Sequence, residues 1–295
     1  MVVRDETGTR GSILVFTLWI LVCLTLISLG FGHRVRLETK AAGYTVANTQ
    51  AFYKAESALY EKAIELIGGR GTDGAEAAQN NGVEDGGDEW DVRCEAVPEE
   101  GKVNVNLAPE DMIRNLKPIK GGIGRAILRK RLGDDLKRGG DDDVTFRLPE
   151  ELLIVEEIDP EEWYGEKEGE PGIRDLFTVY GDGKIDLNSA LPEIIEAIPG
   201  IDRRVAADIV AFRTGPDGTF GTKDDHTWKS FKEFKASLKL SEDKLAPITK
   251  YCKIGSDFYT ITVAASKSGS RATARIAAVI RIGGDDFSVV SWRET

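Results

Sequence analysis

Between Ser12 and Gly32 the chain carries no Lys, Arg, Asp or Glu, and the run Ile13–Phe31 is almost wholly apolar. As a helix it is long enough to cross roughly 30 Å of hydrocarbon. A short charged leader (Arg4, Asp5, Glu6, Arg10) ends at Gly11, and the next charge is Arg34. The helical pattern does not stop at the polar boundary. Ala41, Tyr44, Ala47, Ala51, Ala55, Ala58, Leu59, Ala63 and Leu66 recur at helical spacing among charged residues, which predicts an amphipathic helix with a narrow, Ala-rich packing face. Gly68-Gly69 closes it. The spacing therefore predicts one rod from Ser12 to Ile67, on the order of 80 Å at 1.5 Å per residue, with 12–32 in the membrane. A cleaved secretory signal would normally have an apolar region of about 7–15 residues, so the longer run disfavours removal.

The formal net charge of −11 arises after the apolar run, because Arg4 and Arg10 cancel Asp5 and Glu6. An acidic soluble part argues against general attraction to nucleic acid or anionic lipid. Arg4 and Arg10 stand against Arg34, Arg36 and Lys40 across the membrane segment, so charge counting does not decide the orientation. Three cysteines form no metal set. Cys94 and Cys252 form a disulfide candidate in an oxidising compartment, with two unpaired thiols as the equal alternative.

Residues 68–88 read as an exposed Gly, Asn, Asp and Glu loop. Two short strands are expected at Glu89–Val97 and Lys102–Asn106, joined by a Pro98-Glu-Glu-Gly turn. Three antiparallel strands are expected at Phe258–Ala264, Ala272–Ile282 and Phe287–Trp292. These give a sheet domain of 88–106 and 251–295, interrupted by a helical insertion, 107–250.

The insertion contains a duplication. Val103-Asn-Val-Asn-Leu-Ala108 aligns with Ile185-Asp-Leu-Asn-Ser-Ala190 at an offset of 82, which holds without a gap through Arg131 on Arg213, Asp142-Asp143 on Asp224-Asp225, Phe146 on Trp228 and Leu152 on Phe234. The duplicated unit covers 103–162 and 185–244, and matching apolar positions predict alike packing. Asn106 and Asn188 are placed to cap a helix whose first turn holds Pro109 or Pro192. A tight Gly hairpin and a second helix follow, the pattern of a helix-hairpin-helix. In nucleic-acid enzymes such hairpins direct backbone N–H groups at phosphate; a compact helical module is the better-supported reading here. Copy one holds the basic cluster that could serve DNA: Lys117, Lys120, Arg125, Arg129, Lys130 and Arg131.

Asp217-Gly-Thr-Phe-Gly-Thr-Lys-Asp-Asp225 is a Gly-punctuated loop with carboxylates at both ends. Hard oxygen donors on such a loop suit calcium. It lacks the EF-hand ladder, and spacing alone favours a plain acidic turn. Asp142 and Asp143 form a weaker second candidate. Nothing supports catalysis. The two histidines, His33 and His226, are far apart in sequence, and there is no nucleophile elbow, phosphate-binding Gly-Lys loop or zinc spacing. The chain is expected not to be an enzyme.

The Arg10-Gly11 leader end, the apolar helix, the two Asn-x-Ala units, the Asp217–Asp225 loop and the closing Trp292-Arg-Glu together resemble the type II secretion minor pseudopilin K family, also called general secretion pathway protein K. The resemblance covers nearly the whole chain. It implies an α+β fold: a pilin-like long N-terminal helix packed on a small antiparallel sheet, with a large inserted all-helical domain holding two helix-hairpin-helix (SAM-like) repeats. It implies cleavage by prepilin peptidase between Gly11 and Ser12, methylation of the new amine, and an inner-membrane, single-pass location with the body in the periplasm. It also implies structural calcium in the insertion, with Asp217, Asp224 and Asp225 as ligands. The implied function is a minor pseudopilin at the tip of the secretion pseudopilus, initiating or capping assembly and supporting protein export. The implied partners are other minor pseudopilins, docked through the Ala-rich helix face and the sheet edges, with secreted cargo and the outer-membrane channel beyond them. The fifth mature residue is Phe16, where most pseudopilins place the Glu thought to pair with a neighbour's terminal ammonium. A pilin-like DNA-uptake protein that binds DNA through the helix-hairpin-helix units is the alternative.

Overall fold

The computed structural model describes residues 8–69, 90–117, 119, 122–165, 171–218, 222, 224–269 and 271–294, with side chains in the first helix from Ile13 onward. The expected loop 68–88 falls largely outside these residues. Helix α1 runs unbroken from Gly8 to Gly69, so the rod begins four residues before the expected start. From Ile13 to Gln50 its side chains are exposed, Ala47 alone being half-covered. It is the one helix among the described residues long and apolar enough to cross a membrane.

From Ala51 onward the rod meets a sheet. Strands β1 (Trp90–Pro98), β6 (Phe258–Lys267), β7 (Thr273–Gly283) and β8 (Asp286–Glu294) form an antiparallel sheet in the order β1-β6-β7-β8. Alternation along the strands places Val92, Cys94, Ala96, Ile261, Val263, Ile276, Ala278 and Ile280 on one face. That face closes over Ala55, Ala58, Leu59, Ala63 and Leu66 of α1. Small residues let the helix lie close, and burial of Leu59 and Leu66 contributes about 1.5–3 kcal/mol each. The three C-terminal strands lie where alternation predicts them, extended by one to three residues at most ends.

The insertion enters after β1 and returns before β6, and these two strands are sheet neighbours with Pro98 opposite Tyr259. It therefore leaves and rejoins the sheet at one end. A helical turn, Glu99–Gly101, leads into β2 (Val103–Asn104). Then follow α2 (Glu110–Asn115), α3 (Ile123–Leu132), a 3-10 helix (Pro149–Ile154), α4 (Pro160–Tyr164), α5 (Ile173–Leu176) and β3 (Phe177–Thr178). The second half holds β4 (Ile185–Asp186), α6 (Pro192–Ala197), α7 (Arg203–Arg213), α8 (Phe231–Leu238), α9 (Glu242–Tyr251) and β5 (Cys252–Lys253).

Two expectations are corrected here, and of the two cysteine alternatives the unpaired one is seen. The Pro98-Glu-Glu-Gly segment does not turn a hairpin: β2 pairs in parallel with β3, and β4 in parallel with β5, so the expected strand at 102–106 belongs to the insertion. The insertion is accordingly not all-helical. Cys94 and Cys252 are both buried and unbridged, Cys94 in the core under α1 and Cys252 in the separate core of the insertion. Burial pushes the Cys94 thiol up to about 11 and that of Cys252 higher still, so both stay protonated.

Glu99 and Glu100 join the two bodies. Both are buried, an arrangement tolerated only when each carboxylate is paired. Glu99 accepts from Thr260 Oγ1 of β6 at 2.6 Å, from Thr178 Oγ1 of β3 at 2.6 Å, and from Lys102 Nζ at 3.0 Å. Glu100 accepts from Lys253 Nζ at 3.1 Å and from Asp257 N at 2.6 Å. A Cβ on Gly101 would lie 2.6 Å from Ser189 Oγ and 2.9 Å from the Ser189 carbonyl carbon, so only glycine lets the second repeat approach this closely.

Candidate functional site

The duplication is visible as one mechanical device built twice. Arg131, at the end of α3, donates through Nη1 to the carbonyls of Val105 and Ala108, both at 2.9 Å. Arg213, at the end of α7, donates in the same way to Leu187 at 3.1 Å and Ala190 at 2.6 Å. Asn106 Nδ2 donates to Phe146 O at 2.8 Å and its Oδ1 accepts from Phe146 N at 2.9 Å; Asn188 repeats this on Trp228 at 2.9 and 3.0 Å. The two asparagines are thus clamps between distant segments and not helix caps. Pro109 and Leu191 stand at the cap positions instead. Helices α2 and α6 meet where the copies join, with Asn115 Nδ2 donating to Ala197 O at 3.4 Å and Lys117 paired with Glu196.

The acidic loops belong to the same device. A Cβ on Gly133 would collide with the Asp142 carboxylate, and one on Gly215 with Asp224, where the nearest atom is the backbone oxygen at 2.4 Å. Both glycines have positive φ, +67° and +62°, and each turns the chain after its long helix. Asp142 Oδ2 accepts from Asp134 N at 3.0 Å, and Asp224 Oδ2 from Asp217 N at 3.2 Å. Thr222 Oγ1 donates to Asp224 Oδ1 at 2.7 Å and lies 3.5 Å from Asp225 Oδ1. These bonds hold the Asp224 carboxyl below its usual range. Asp143 Oδ2 accepts from Gly139 N at 2.6 Å.

The expected calcium ligands therefore share one loop, and Asp224 is already engaged by its own backbone and hydroxyl neighbours. Among the described residues no group of three or more His, Cys, Asp or Glu side chains gathers as a metal-binding set. Thr219 lies outside the described residues. The donors are of the type calcium takes, but their described arrangement is that of a latched turn.

The basic cluster expected of a DNA-binding hairpin is dispersed. Arg131 is 4% exposed and burial lowers its pKa to about 10. Lys117 is spent on Glu196. Lys120 lies outside the described residues, which leaves Arg125, Arg129 and Lys130 on the surface of α3.

On the rod, the Ala-rich face is only partly available for docking. Ala51, Ala55, Ala58 and Ala63 are covered by the protein's own body, while Ala41 and Tyr44 stay exposed and Ala47 is partly covered. Above that level a different stripe is bare: Val46, Tyr53, Tyr60 and Ile64, between 40% and 63% exposed, with uncharged Gln50 and Ser57 between them. This spacing of four and three residues forms a seam of the kind that receives a second helix. Lys62, on the covered side, is fully buried and pairs with Glu65 at 3.1 Å.

Aromatic contacts orient the sheet along the rod. Phe52 packs edge-on against Trp292, with ring centroids 6.5 Å apart, and Tyr60 against Phe287 at 5.9 Å. Phe287 lies opposite Ile282, Arg281 opposite Phe258, and Tyr259 opposite Pro98. The end of the sheet from which the insertion springs is therefore the end farther from the apolar segment of α1. Gly11 and Ser12 lie within the first turns of α1.

No protein-family model matches the chain, and no curated protein matches it. Among solved structures it is similar to a chain of the GspK-GspI-GspJ complex from the type 2 secretion system of enterotoxigenic Escherichia coli. The identity is 12% and the TM-score 0.49, over 84% of this chain and 99% of that chain.

Proposed function

We propose that this protein is a membrane-anchored minor pseudopilin that occupies the tip of a type II secretion pseudopilus, where it starts or caps assembly. The observation that carries the reading is the placement of the insertion. It grows from the end of the sheet farthest from the membrane segment, and its bulk stands where the next subunit of a shaft would stack. Phe16 agrees with this place. Without a carboxylate there, a neighbour's terminal ammonium would be buried unpaired in the apolar filament core, at substantial cost. Cleavage after Gly11, methylation of Ser12, a periplasmic body and structural calcium at Asp217, Asp224 and Asp225 belong to the same proposal. No catalytic step is part of it.

The docking element is the uncharged seam Val46-Tyr53-Tyr60-Ile64; Ala41 and Tyr44, on the opposite, Ala-rich side of the rod, offer a second uncovered stretch nearer the membrane. The test is co-purification of the full-length protein with the other minor pseudopilins of its own secretion system, with and without calcium. Tyr53→Glu combined with Ile64→Glu, both on exposed positions, is expected to abolish the complex while leaving thermal unfolding unchanged. An unaltered complex would remove the seam from the account. Restoring the acid with Phe16→Glu is expected to admit the subunit into the shaft; continued confinement to the tip would show that the missing acid is not the determinant.

A further inference from the structure

The two copies of the repeat share their interior but not their outer surface. On α3, copy one presents Arg125, Arg129 and Lys130; copy two has Ala207, Ala211 and Phe212 at the same places. In copy two the ring of Phe212 stacks on Trp228, with centroids 5.1 Å apart and planes 15° apart, and lies 5.3 Å from His226. Copy two therefore closes this face with its own aromatic side chains. In copy one the corresponding residues are Lys130, Phe146 and Val144, and Val144 is left exposed. Leu136, four residues beyond α3, is exposed as well, where copy two has Gly218. Val144 is held at the end of α3, its N donating to Arg131 O at 3.0 Å. No ion pair engages Arg125, Arg129 or Lys130 among the described residues.

We infer that this face of copy one is a docking surface for an acidic protein segment that sets an apolar side chain among its carboxylates. Charge complementarity selects the occupant: three cations with no ion pair among the described residues lie on α3, whose end is bordered by exposed Val144 and Leu136, on a chain of net charge −11. A polyanionic backbone fits less well, because Asp134, Asp135 and Asp141 lie exposed beside the patch and would oppose a line of phosphates. A folded or helical acidic segment can direct its carboxylates at the α3 cations and its apolar group at Val144 and Leu136, which border the end of α3. The inference does not depend on how the rod docks.

The experiment uses the full-length protein in neutral detergent and four labelled probes, each read against protein-free micelles. The probes are an amphipathic Glu/Leu peptide, a Glu/Ser peptide of equal charge, a Lys/Leu peptide and a DNA duplex. The Glu/Leu peptide is expected to bind at least tenfold tighter than the others. Arg129→Glu with Lys130→Glu is expected to weaken it at least tenfold, and Leu136→Ser with Val144→Ser at least threefold. Arg203→Glu with Arg204→Glu in copy two is expected to leave it unchanged. Equal binding of the two acidic peptides, tighter binding of DNA, no binding at all, or indifference to the copy-one changes would overturn the inference. So would sedimentation showing that the copy-one charge reversal dissolves a dimer, since the occupant would then be a second copy of this chain.

Discussion

In copy one a buried arginine at the end of α3 holds two carbonyls of the preceding strand tail, and in copy two an arginine 82 residues later does the same at the end of α7. The asparagine clamps and the Gly–Asp latches repeat as faithfully. Outside this frame the copies part company: a bare basic and apolar face on one, a self-covered aromatic face on the other. The difference separates what the repeat needs to fold from what it is free to display. It also assigns the duplicated acidic residues first to turn geometry, since Asp142 performs the same latch as Asp224 without the rest of the longer acidic loop.

The comparison can be broken most sharply at the arginines. Arg131→Met and Arg213→Met each leave two buried carbonyls without their donor, and each is expected to cost about 2–4 kcal/mol in chemical denaturation. A loss in one copy only would mean that the frame is not shared. Asn106→Ala and Asn188→Ala each remove two bonds across a sequence gap of 40 residues, and about 2 kcal/mol is expected from either. The glycines should differ. Gly215→Ala drives a Cβ into the backbone oxygen of Asp224, whereas at Gly133 the colliding atoms belong to the movable Asp142 side chain. Gly215→Ala is therefore expected to cost about 1–3 kcal/mol and Gly133→Ala less, as read by melting temperature.

The smallest effect concerns the one buried position where the frames differ in charge, Asn104 against Asp186. Asn104 Oδ1 accepts from Asn106 N at 3.0 Å while its Nδ2 donates to Tyr180 O at 3.0 Å. Asp186 only accepts, from Asn188 N, Gly255 N and Ser189 Oγ. Burial raises the Asp186 carboxyl above its ordinary value, with the charge of Glu100 acting the same way. A raised carboxyl favours the protonated folded state. Its contribution is full below the unfolded-state value near 3.8 and is lost as pH rises through the folded value. Asp186→Asn should abolish that decline, so stability measured from pH 4 upward should fall less steeply in the variant. An unchanged slope would show that Asp186 is ionised throughout.

The rod, the three C-terminal strands and the duplication were legible because each leaves a periodic trace: apolar residues at helical spacing, alternation, and an ungapped offset. The junction was not. Glu99 and Glu100 look like an exposed acidic turn, and nothing local announces that Thr178, Thr260 and Lys253, up to 161 residues away, will bury and pair them. Asn106 and Asn188 stand ahead of helices they do not cap, and their partners lie 40 residues on. The offset itself held the missing signal, since Phe146 and Trp228 recur at the same distance. The Ala-rich stripe marks close packing without saying whose surface packs against it; from Ala55 to Leu66 that surface is the chain's own sheet.

The central claim is that α1 is retained from Ser12 onward in the mature protein and ties the membrane to a body that ends the filament. N-terminal sequencing of the chain recovered from inner membranes tests it directly. A mature chain that begins at Ser12 with a methylated amine is the predicted result. A soluble chain that begins beyond residue 33, with the apolar run removed, would contradict it.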